Sequence, residues 1–172
     1  MPALIRTLRG HTPIVDEPAF LAETAALIGD VTVGAESSIW YGAVLRGDDN
    51  PITVGRRSNI QDGTIVHVSS TGQGTVIGDE VSIGHAAIIH ACTLEDRSFV
   101  GMGATVMDGA VVESGAMVAA GALVAPGKIV RAGQVWMGNP GRHTRDLTED
   151  EKKYLTYVAT HYWELAQDYL GD

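Results

Sequence analysis

The stretch that decides the fold runs from residue 55 to residue 92 and reads GRRSNIQDGTIVHVSSTGQGTVIGDEVSIGHAAIIHAC. A branched aliphatic residue returns in it every six positions, first at Ile60 and Val66. After the insertion SSTGQG the spacing resumes at Ile77, Ile83 and Ile89. Because α-helices repeat near 3.6 residues and simple strands repeat at two, a period of six belongs to neither element alone.

The six-residue period extends over most of the chain. Outside the stretch, the apolar slot is filled by Val15, Leu21, Leu27, Val33, Ile39, Leu45, Val54, Leu94, Val100, Val106, Val112, Val118, Val124, Val130 and Trp136. Such a repeat predicts a parallel β-helix in which three hexads close one triangular coil, with slot residues inside and coils about 4.8 Å apart. A β-sandwich is the alternative, but its strands would not keep one phase over so many units. We expect the insertion GDDNP, residues 47–51, to loop out.

The sequence changes character after Pro140. Thr148 followed three residues later by Glu151 is a capping box, which marks the start of a helix. An apolar stripe at helical spacing follows, at Leu155, Val158, Tyr162, Leu165 and Tyr169. We therefore expect a lead or cap over residues 1–14, a β-helix over 15–141 and an α-helix over 148–170.

The composition excludes several classes of partner. The formal net charge is −9 and the 12 Lys and Arg residues are scattered, whereas nucleic acids and anionic membranes need clustered cations. No run of 18 apolar residues is present, so we expect no membrane span. Cys92 is the single cysteine and suits a reducing cytosol, and the N-terminal MPALIRTLRG lacks the apolar core of a signal peptide. These features predict a cytoplasmic, single-domain protein.

The six-residue phase also places the histidines. Positions three hexads apart stack on one face, so Arg46, His67 and His90, each directly after its slot, form one outward column. Stacked about 4.8 Å apart, two histidines can share a metal ion. His85 falls on the adjacent face, directly above Asp62, and joins the other two only across an interface between copies. The remaining histidines lack this phase and are interpreted as ordinary: His11, His143 and His161.

These residues resemble the γ-class carbonic anhydrases, which are trimers of left-handed parallel β-helices. The match rests on Arg46-Gly47-Asp48, on Asn59-Ile60-Gln61-Asp62-Gly63 and on the spacing of His67, His85 and His90, and it covers nearly the whole chain. The resemblance implies an all-β fold, a left-handed parallel β-helix with a C-terminal α-helix packed along the prism. It also implies a homotrimer in which His67 and His90 bind the metal from one subunit and His85 from its neighbour.

The resemblance assigns roles around the metal as well. Gln61 would position or polarise the metal-bound water, and Asn59 would help shape the pocket. Arg46 and Asp62 would form an ion pair across the subunit interface. Tyr162 resembles a family tyrosine near the metal, although core packing explains a tyrosine in the helix stripe equally well.

The implied activity is the reversible hydration of carbon dioxide to bicarbonate at subunit interfaces. Three neutral imidazoles leave the metal its charge and an open position, so that a bound water ionises near pH 7 and the hydroxide attacks carbon dioxide. Zinc is the expected metal, although imidazole also suits iron and cobalt. No organic cofactor is expected.

One departure from the family bears on the rate. Some members carry an acidic loop after the first histidine that shuttles protons, whereas the loop here is SSTGQG. Asp48, which the resemblance ties to the ion pair of Arg46, is a weak candidate for that task, as are Asp49 and Glu80, so low activity is expected. Two other functions stay open: an acyl-CoA thioesterase or acyltransferase on the same scaffold, and a non-catalytic trimer that keeps the metal for stability.

Overall fold

The computed structural model describes residues 2–171, which fold into a parallel β-helix followed by one α-helix. Met1, which falls within the predicted lead, and Asp172 lie outside the described residues. Most strands are short because each hexad gives one flat side before the chain turns. In chain order they are β1 (Leu4–Arg6), β2 (Ile14–Val15), β3 (Phe20–Leu21), β4 (Ala26–Val33), β5 (Ser38–Ile39), β6 (Val44–Val54), β7 (Asn59–Ile60), β8 (Ile65–His67), β9 (Thr75–Ile77), β10 (Ser82–Ile83), β11 (Ile88–His90), β12 (Thr93–Leu94), β13 (Phe99–Val100), β14 (Thr105–Val106), β15 (Val111–Val112), β16 (Met117–Val118), β17 (Leu123–Val124), β18 (Ile129–Val130), β19 (Gln134–Met137) and β20 (Arg142–Asp146).

The strands form the three faces of a prism. The helix face contains β3, β5, β7, β10, β13, β16, β19 and β20. The histidine face contains β1, the first halves of β4 and β6, and then β8, β11, β14 and β17. The third face contains β2, the second halves of β4 and β6, and then β9, β12, β15 and β18. Strands pair in parallel, except that β20 turns back antiparallel to β19.

The core is the column of slot residues inside the prism. Every slot from Leu27 to Val130 is at most 1% exposed, and Leu45, Val66 and Ile89 are paired from coil to coil. Each fully buried aliphatic side chain contributes about 1.5–3 kcal/mol of transfer free energy. Only slots near the ends of the column, such as Val15 and Trp136, are partly exposed. The predicted six-residue frame is confirmed.

The insertion GDDNP forms the predicted bulge, because five steps along the chain from Gly47 to Ile52 lie opposite only two steps from Gly29 to Val31. It lies inside the eleven-residue strand β6, which pairs with β4 at both ends with one register shift between Gly29 and Val31. The two strands approach so closely that a Cβ on Gly29 would lie 2.2 Å from the carbonyl oxygen of Gly47. A Cβ on Gly47 would lie 2.3 Å from the carbonyl oxygen of Asp30. Two glycines therefore let the extra residues build up the corner where the histidine face meets the third face.

Helix α1 spans Glu149–Gly171 and packs along the helix face, in contact with β3, β5, β7 and β10. Its start is the predicted capping box. The backbone N–H of Thr148 donates to the Glu151 carboxylate at 2.9 Å, and the N–H of Glu151 donates to Oγ1 of Thr148 at 3.2 Å. These bonds satisfy backbone donors that the first turn of a helix leaves unpaired.

The buried side of α1 differs in part from the predicted stripe. Tyr169 is 47% exposed, although its ring still meets the edge of Trp40 with ring centroids 5.3 Å apart. Ala159 and Ala166 are buried instead, because small side chains let the helix lie close to the prism wall. Among residues 2–171 there is no helix with the length and apolar character that crossing a membrane requires.

Candidate metal centre

His67 and His90 face each other on adjacent coils. They end strands β8 and β11, and their Cα atoms are paired in the ladder. Nδ1 of His67 lies 3.2 Å from Nε2 of His90. The ladder thus places the two rings one above the other, as the six-residue count predicts.

A carboxylate lies on the far side of each ring. Oδ1 of Asp48 is 3.0 Å from Nε2 of His67, and Oδ1 of Asp108 is 2.8 Å from Nδ1 of His90. The two rings are 21% and 29% exposed, so they are reachable from solvent but largely covered. Four side chains therefore form one line along the prism: Asp48, His67, His90 and Asp108.

This line brings two lone pairs together. An ionised carboxylate only accepts hydrogen bonds, so the ring nitrogen that faces it carries the proton. In a neutral imidazole the other ring nitrogen then carries the lone pair. For His67 that nitrogen is Nδ1 and for His90 it is Nε2, the two atoms that meet at 3.2 Å. The two lone pairs repel each other, and a cation between them, whether a proton or a metal ion, removes that repulsion. The spacing suits a metal, because two nitrogens about 2.0–2.1 Å from a tetrahedral ion lie about 3.3 Å apart.

His85 lies at the opposite edge of the histidine face. It follows β10, and its Nδ1 is 2.8 Å from Oδ2 of Asp62, which follows β7 one coil earlier. Its ring is 44% exposed, more than that of His67 or His90. Within residues 2–171 of one chain, no three His, Cys, Asp or Glu side chains are grouped closely enough to hold a metal ion. One chain thus brings two of the three predicted ligands together.

Gln61 and Asn59 form a buried amide chain on the helix face. They are 5% and 1% exposed. Nε2 of Gln61 donates to Oδ1 of Asn59 at 3.0 Å, and Nδ2 of Asn59 donates to Oγ of Ser82 at 2.8 Å. Buried amides are costly unless they are hydrogen-bonded, so this chain fixes the orientation of Gln61. The bond uses the nitrogen of Gln61 and leaves its Oε1 as an acceptor.

Arg46 pairs with Asp48 within the chain. The guanidinium donates to Oδ2 of Asp48, while Oδ1 of the same carboxylate faces His67. Burial acts to raise the pKa of Asp48, but the hydrogen bonds from His67 and Arg46 outweigh it and lower the pKa below its usual value. Asp62, the predicted partner of Arg46 across an interface, is bonded to His85. That inter-subunit pair stays a prediction.

Tyr162 is partly buried and packs against the cluster of Phe20 and Trp40. Its ring meets Trp40 edge-on, with centroids 5.5 Å apart. Burial raises the pKa of Tyr162, and the negative charge of Asp62 adds to the effect. Its hydroxyl is therefore held protonated near the edge that carries His85.

Asp108 is the site residue that the sequence reasoning missed. It lies two positions after the slot Val106, whereas His90 lies one position after Ile89, and these two slots are paired in the ladder. On the histidine face, the count along the sequence used only positions directly after a slot, although it used the second position for Asp62 and His85. Counting one coil further and allowing a step of one residue would have found this carboxylate.

The fold and these histidines define a class of protein: a hexapeptide-repeat β-helix with a candidate metal centre at one corner. No protein-family model matches the chain. The mitochondrial γ carbonic anhydrase 1 of Arabidopsis thaliana is 51% identical over 165 residues, which cover 93% of this chain and 60% of the relative. The probable carbonic anhydrase of Methanocaldococcus jannaschii is 54% identical over 147 residues, which cover 86% of this chain and 92% of the relative.

Among solved structures, a hexapeptide transferase family protein from Anaplasma phagocytophilum is 50% identical, with a TM-score of 0.94 over 98% of this chain and 99% of that chain. The chain belongs to the γ-class carbonic anhydrase family. The predicted fold class, an all-β left-handed parallel β-helix with a packed C-terminal helix, is confirmed. The chain spans about 60% of the length of the plant relatives that it matches.

Proposed function

We propose that this chain is a metal-dependent, carbonic anhydrase-like lyase that interconverts carbon dioxide and bicarbonate. In this proposal His67 and His90 of one subunit hold the metal together with His85 of the partner subunit, in a homotrimer. Zinc is the default ion, since three imidazoles and one open position are typical of catalytic zinc sites. Sequence similarity to proteins named carbonic anhydrase supports the proposed hydration of carbon dioxide.

One observation carries the proposal: each of the three histidines gives one ring nitrogen to an aspartate. The pairs are His67 with Asp48, His85 with Asp62, and His90 with Asp108. Metal-binding histidines typically donate their second nitrogen to such a partner, which fixes the tautomer and makes the free nitrogen a better ligand. The chemistry of this donor set therefore fits a metal ion.

When bound there, a metal would supply a Lewis acid that brings the pKa of a coordinated water near 7. The residues of the chain supply the rest. Asp48 and Asp108 hold the ring N–H groups so that the lone pairs face the ion. Gln61, fixed by Asn59, offers its Oε1 to orient a water molecule and its remaining N–H to a substrate oxygen. Burial raises the pKa of Asp48, but the hydrogen bonds from His67 and then Arg46 lower it further, so the carboxylate stays ionised.

The histidine face supports a shared site. Ile65 and Ile88 are 40% and 45% exposed and are paired in the middle of that face. They lie between the edge with His85 and the edge with His67 and His90. Exposed apolar side chains in such a position favour burial against another copy. In a head-to-tail ring of three, the His85 edge of each copy meets the His67–His90 edge of the next, which gives three equivalent sites.

Acyl transfer is the second candidate function, because a solved relative is titled a hexapeptide transferase family protein. Such an enzyme needs one histidine base beside an acyl-CoA groove and no metal. This chain has two facing imidazoles and a third histidine that is also paired with an aspartate, which is more than an acyltransferase needs. A non-catalytic trimer that keeps the metal for stability is the third candidate. Cytoplasmic location stays a prediction.

Metal analysis followed by stopped-flow hydration of carbon dioxide tests the proposal. We expect one metal ion per chain in the purified protein and measurable hydration, with both lost in His90→Gln. The matched control is His143→Gln, because His143 also lies beside an aspartate, Asp146, at 3.2 Å but on β20. A metal-free protein that cleaves or transfers acyl-CoA would favour the second function. A metal-loaded protein that is inert in both assays would favour the third.

A further inference from the structure

The six-residue spacing is irregular at the corner that carries His67 and His90. Between Val15 and Trp136 the spacing of the slots is broken three times, and each break lies where the chain leaves the histidine face. The breaks fall between Leu45 and Val54, between Val66 and Ile77, and between Ile89 and Leu94. Because proteins typically break their local rules at functional sites, we looked for contacts from these segments to the two histidines.

The second break is the loop SSTGQG, which lies against the insertion in β6. Nδ2 of Asn50 donates to the backbone oxygen of Ser69 at 2.6 Å. A Cβ on Gly74 would lie 2.2 Å from the backbone oxygen of Pro51, so the two segments are in close backbone contact. The same insertion contacts the ring of His67 through a carboxylate. The loop is therefore anchored on a segment that also orients this ring.

A buried threonine ties the end of the loop to the backbone of His67. Thr75 is fully buried, and its Oγ1 donates to the backbone oxygen of His67 at 2.6 Å. The same oxygen accepts from the backbone N–H of Ala91 at 3.1 Å, and Ala91 directly follows His90. The carbonyl group of His67 thus links the two coils that carry the histidines, and Thr75 fixes the direction of that carbonyl group.

Ala91 has a strained backbone that the loop also supports. Its φ is 45°, in the left-handed region that residues other than glycine seldom occupy. Its backbone oxygen accepts from Nε2 of Gln73 at 3.0 Å and from the backbone N–H of Gly109 at 2.7 Å. Strain of this kind persists only where the surroundings hold it, and it is concentrated at functional sites. The loop therefore supports the main chain at His67 and directly after His90.

We propose that Thr75 and Gln73 are positioning residues, which hold His67 and His90 at the separation that a metal ion needs. The inference rests on the proposed function and deepens it. The facing ring nitrogens lie 3.2 Å apart, close to the spacing of about 3.3 Å for two nitrogens on a tetrahedral ion. Ligands on a fixed backbone lose less conformational freedom when they bind, which raises the affinity for an ion of this geometry.

Zinc affinity tests the role of Thr75. Wild type, Thr75→Val and Thr75→Ser are compared by competition with a chromophoric chelator. Valine has nearly the shape of threonine but no hydroxyl, whereas serine keeps the hydroxyl. Because residues that support metal ligands typically contribute about 10–100-fold to metal affinity, we expect Thr75→Val to bind zinc at least about tenfold more weakly. Thr75→Ser should bind zinc as the wild type does.

Cobalt(II) gives a spectroscopic readout of the same role. A four-coordinate cobalt ion absorbs visible light more strongly than a six-coordinate one. If the backbone contacts keep the histidines at tetrahedral spacing, the visible absorption of the cobalt-loaded protein should weaken in Thr75→Val. It should return in Thr75→Ser.

Two further variants separate positioning from general stability. Gln73→Met removes the second donor from an exposed residue, so it leaves the core intact and should also weaken zinc binding. Ser37→Ala is the matched control, because Ser37 is fully buried and its hydroxyl donates to the backbone oxygen of Gly55 at 2.7 Å. That bond lies at the corner between the third face and the helix face. Ser37→Ala should lower the free energy of unfolding in urea without changing zinc affinity.

Unchanged zinc affinity in Thr75→Val would overturn the role of Thr75, and unchanged affinity in Gln73→Met would overturn that of Gln73. An equal loss of affinity in Ser37→Ala and Thr75→Val would overturn the inference, because lost stability would then explain both. If Thr75→Val does not fold, Gln73→Met decides. A wild type that binds zinc as expected but does not hydrate carbon dioxide would refute the proposed lyase and leave this inference standing. A wild type that binds neither zinc nor cobalt would refute both.

Discussion

Nδ1 of His67 and Nε2 of His90 lie 3.2 Å apart, and both rings are turned by an aspartate on their far side. The β-ladder sets this distance, since it pairs the two residues on adjacent coils. The contact leaves two lone pairs facing each other, which a shared cation stabilises. A complete site then needs its third ligand from elsewhere, and His85 at the opposite edge of the same face is the candidate.

Mixed trimers test the shared site. His67→Ala and His85→Ala should each abolish metal binding in a pure trimer, because every site then lacks one ligand. In a trimer that contains both variants, one junction joins an intact pair, His67 and His90, to an intact His85. Co-expression should therefore restore metal to one of the three sites, measured as metal per trimer.

The control mixture combines His67→Ala with His90→Ala. Both lost ligands come from the same edge of the prism, so no junction is intact and no metal should return. If the first mixture forms trimers that stay metal-free, His85 is an ordinary surface histidine and the shared-site proposal is wrong.

Asp108→Asn should weaken metal binding. The amide no longer demands a proton on Nδ1 of His90, so the tautomer with its lone pair towards His67 loses its support. Loss of such a partner typically costs about 10–100-fold in metal affinity. Competition with a chromophoric chelator measures the change. Asp146→Asn, beside His143, is the matched control, and equal affinities in the two variants would refute a positioning role for Asp108.

Acid should weaken the helix cap in a defined range. Hydrogen bonds from Arg145 and from the backbone of Thr148 lower the pKa of Glu151 from 4.5 to about 2. A carboxyl whose pKa is lower in the folded protein stabilises it above the unfolded pKa, and this contribution fades as the pH falls through the folded pKa. Wild type should therefore exceed Glu151→Gln in free energy of unfolding above pH 4.5, with the gap closing towards pH 2.

Urea unfolding of both proteins at several pH values checks this expectation. Glu149→Gln is the control, since its side chain is 79% exposed and lies in the same first turn. If the difference in free energy of unfolding between wild type and Glu151→Gln does not change with pH, the lowered pKa of Glu151 is contradicted.

The six-residue frame predicts that truncating two neighbouring residues lowers the free energy of unfolding by very different amounts. Ile77 is 1% exposed inside the prism, whereas Val76 is 49% exposed on the third face. Ile77→Ala should lower the free energy of unfolding by about 2–5 kcal/mol, because it leaves a cavity among stacked aliphatics. Val76→Ala should change it by no more than about 0.5 kcal/mol. Similar costs for the two substitutions, measured by urea unfolding, would refute the frame.

Much of the site follows from counting along the sequence. The stacking of His67 under His90, and of Asp62 under His85, depends only on the period of six and the ladder that it creates. The capping box of α1 is equally local. Asp108 escaped the count because its position in the hexad differs by one residue from that of His90.

By itself, the sequence determined the β-helix and the faces on which the histidines lie. The reason is that a branched aliphatic at every sixth position can be buried only if each hexad forms one side of a triangular coil. The tertiary structure alone decided that the bulge at GDDNP stays within strand β6, because this depends on two glycines 18 residues apart that allow close backbone contact. It also decided that Arg9 ties the turn of residues 8–11 to β6, through the backbone oxygen of Asp48 and the carboxylate of Asp49. That contact joins residues 39 and 40 positions apart, and no local pattern in the sequence encodes it.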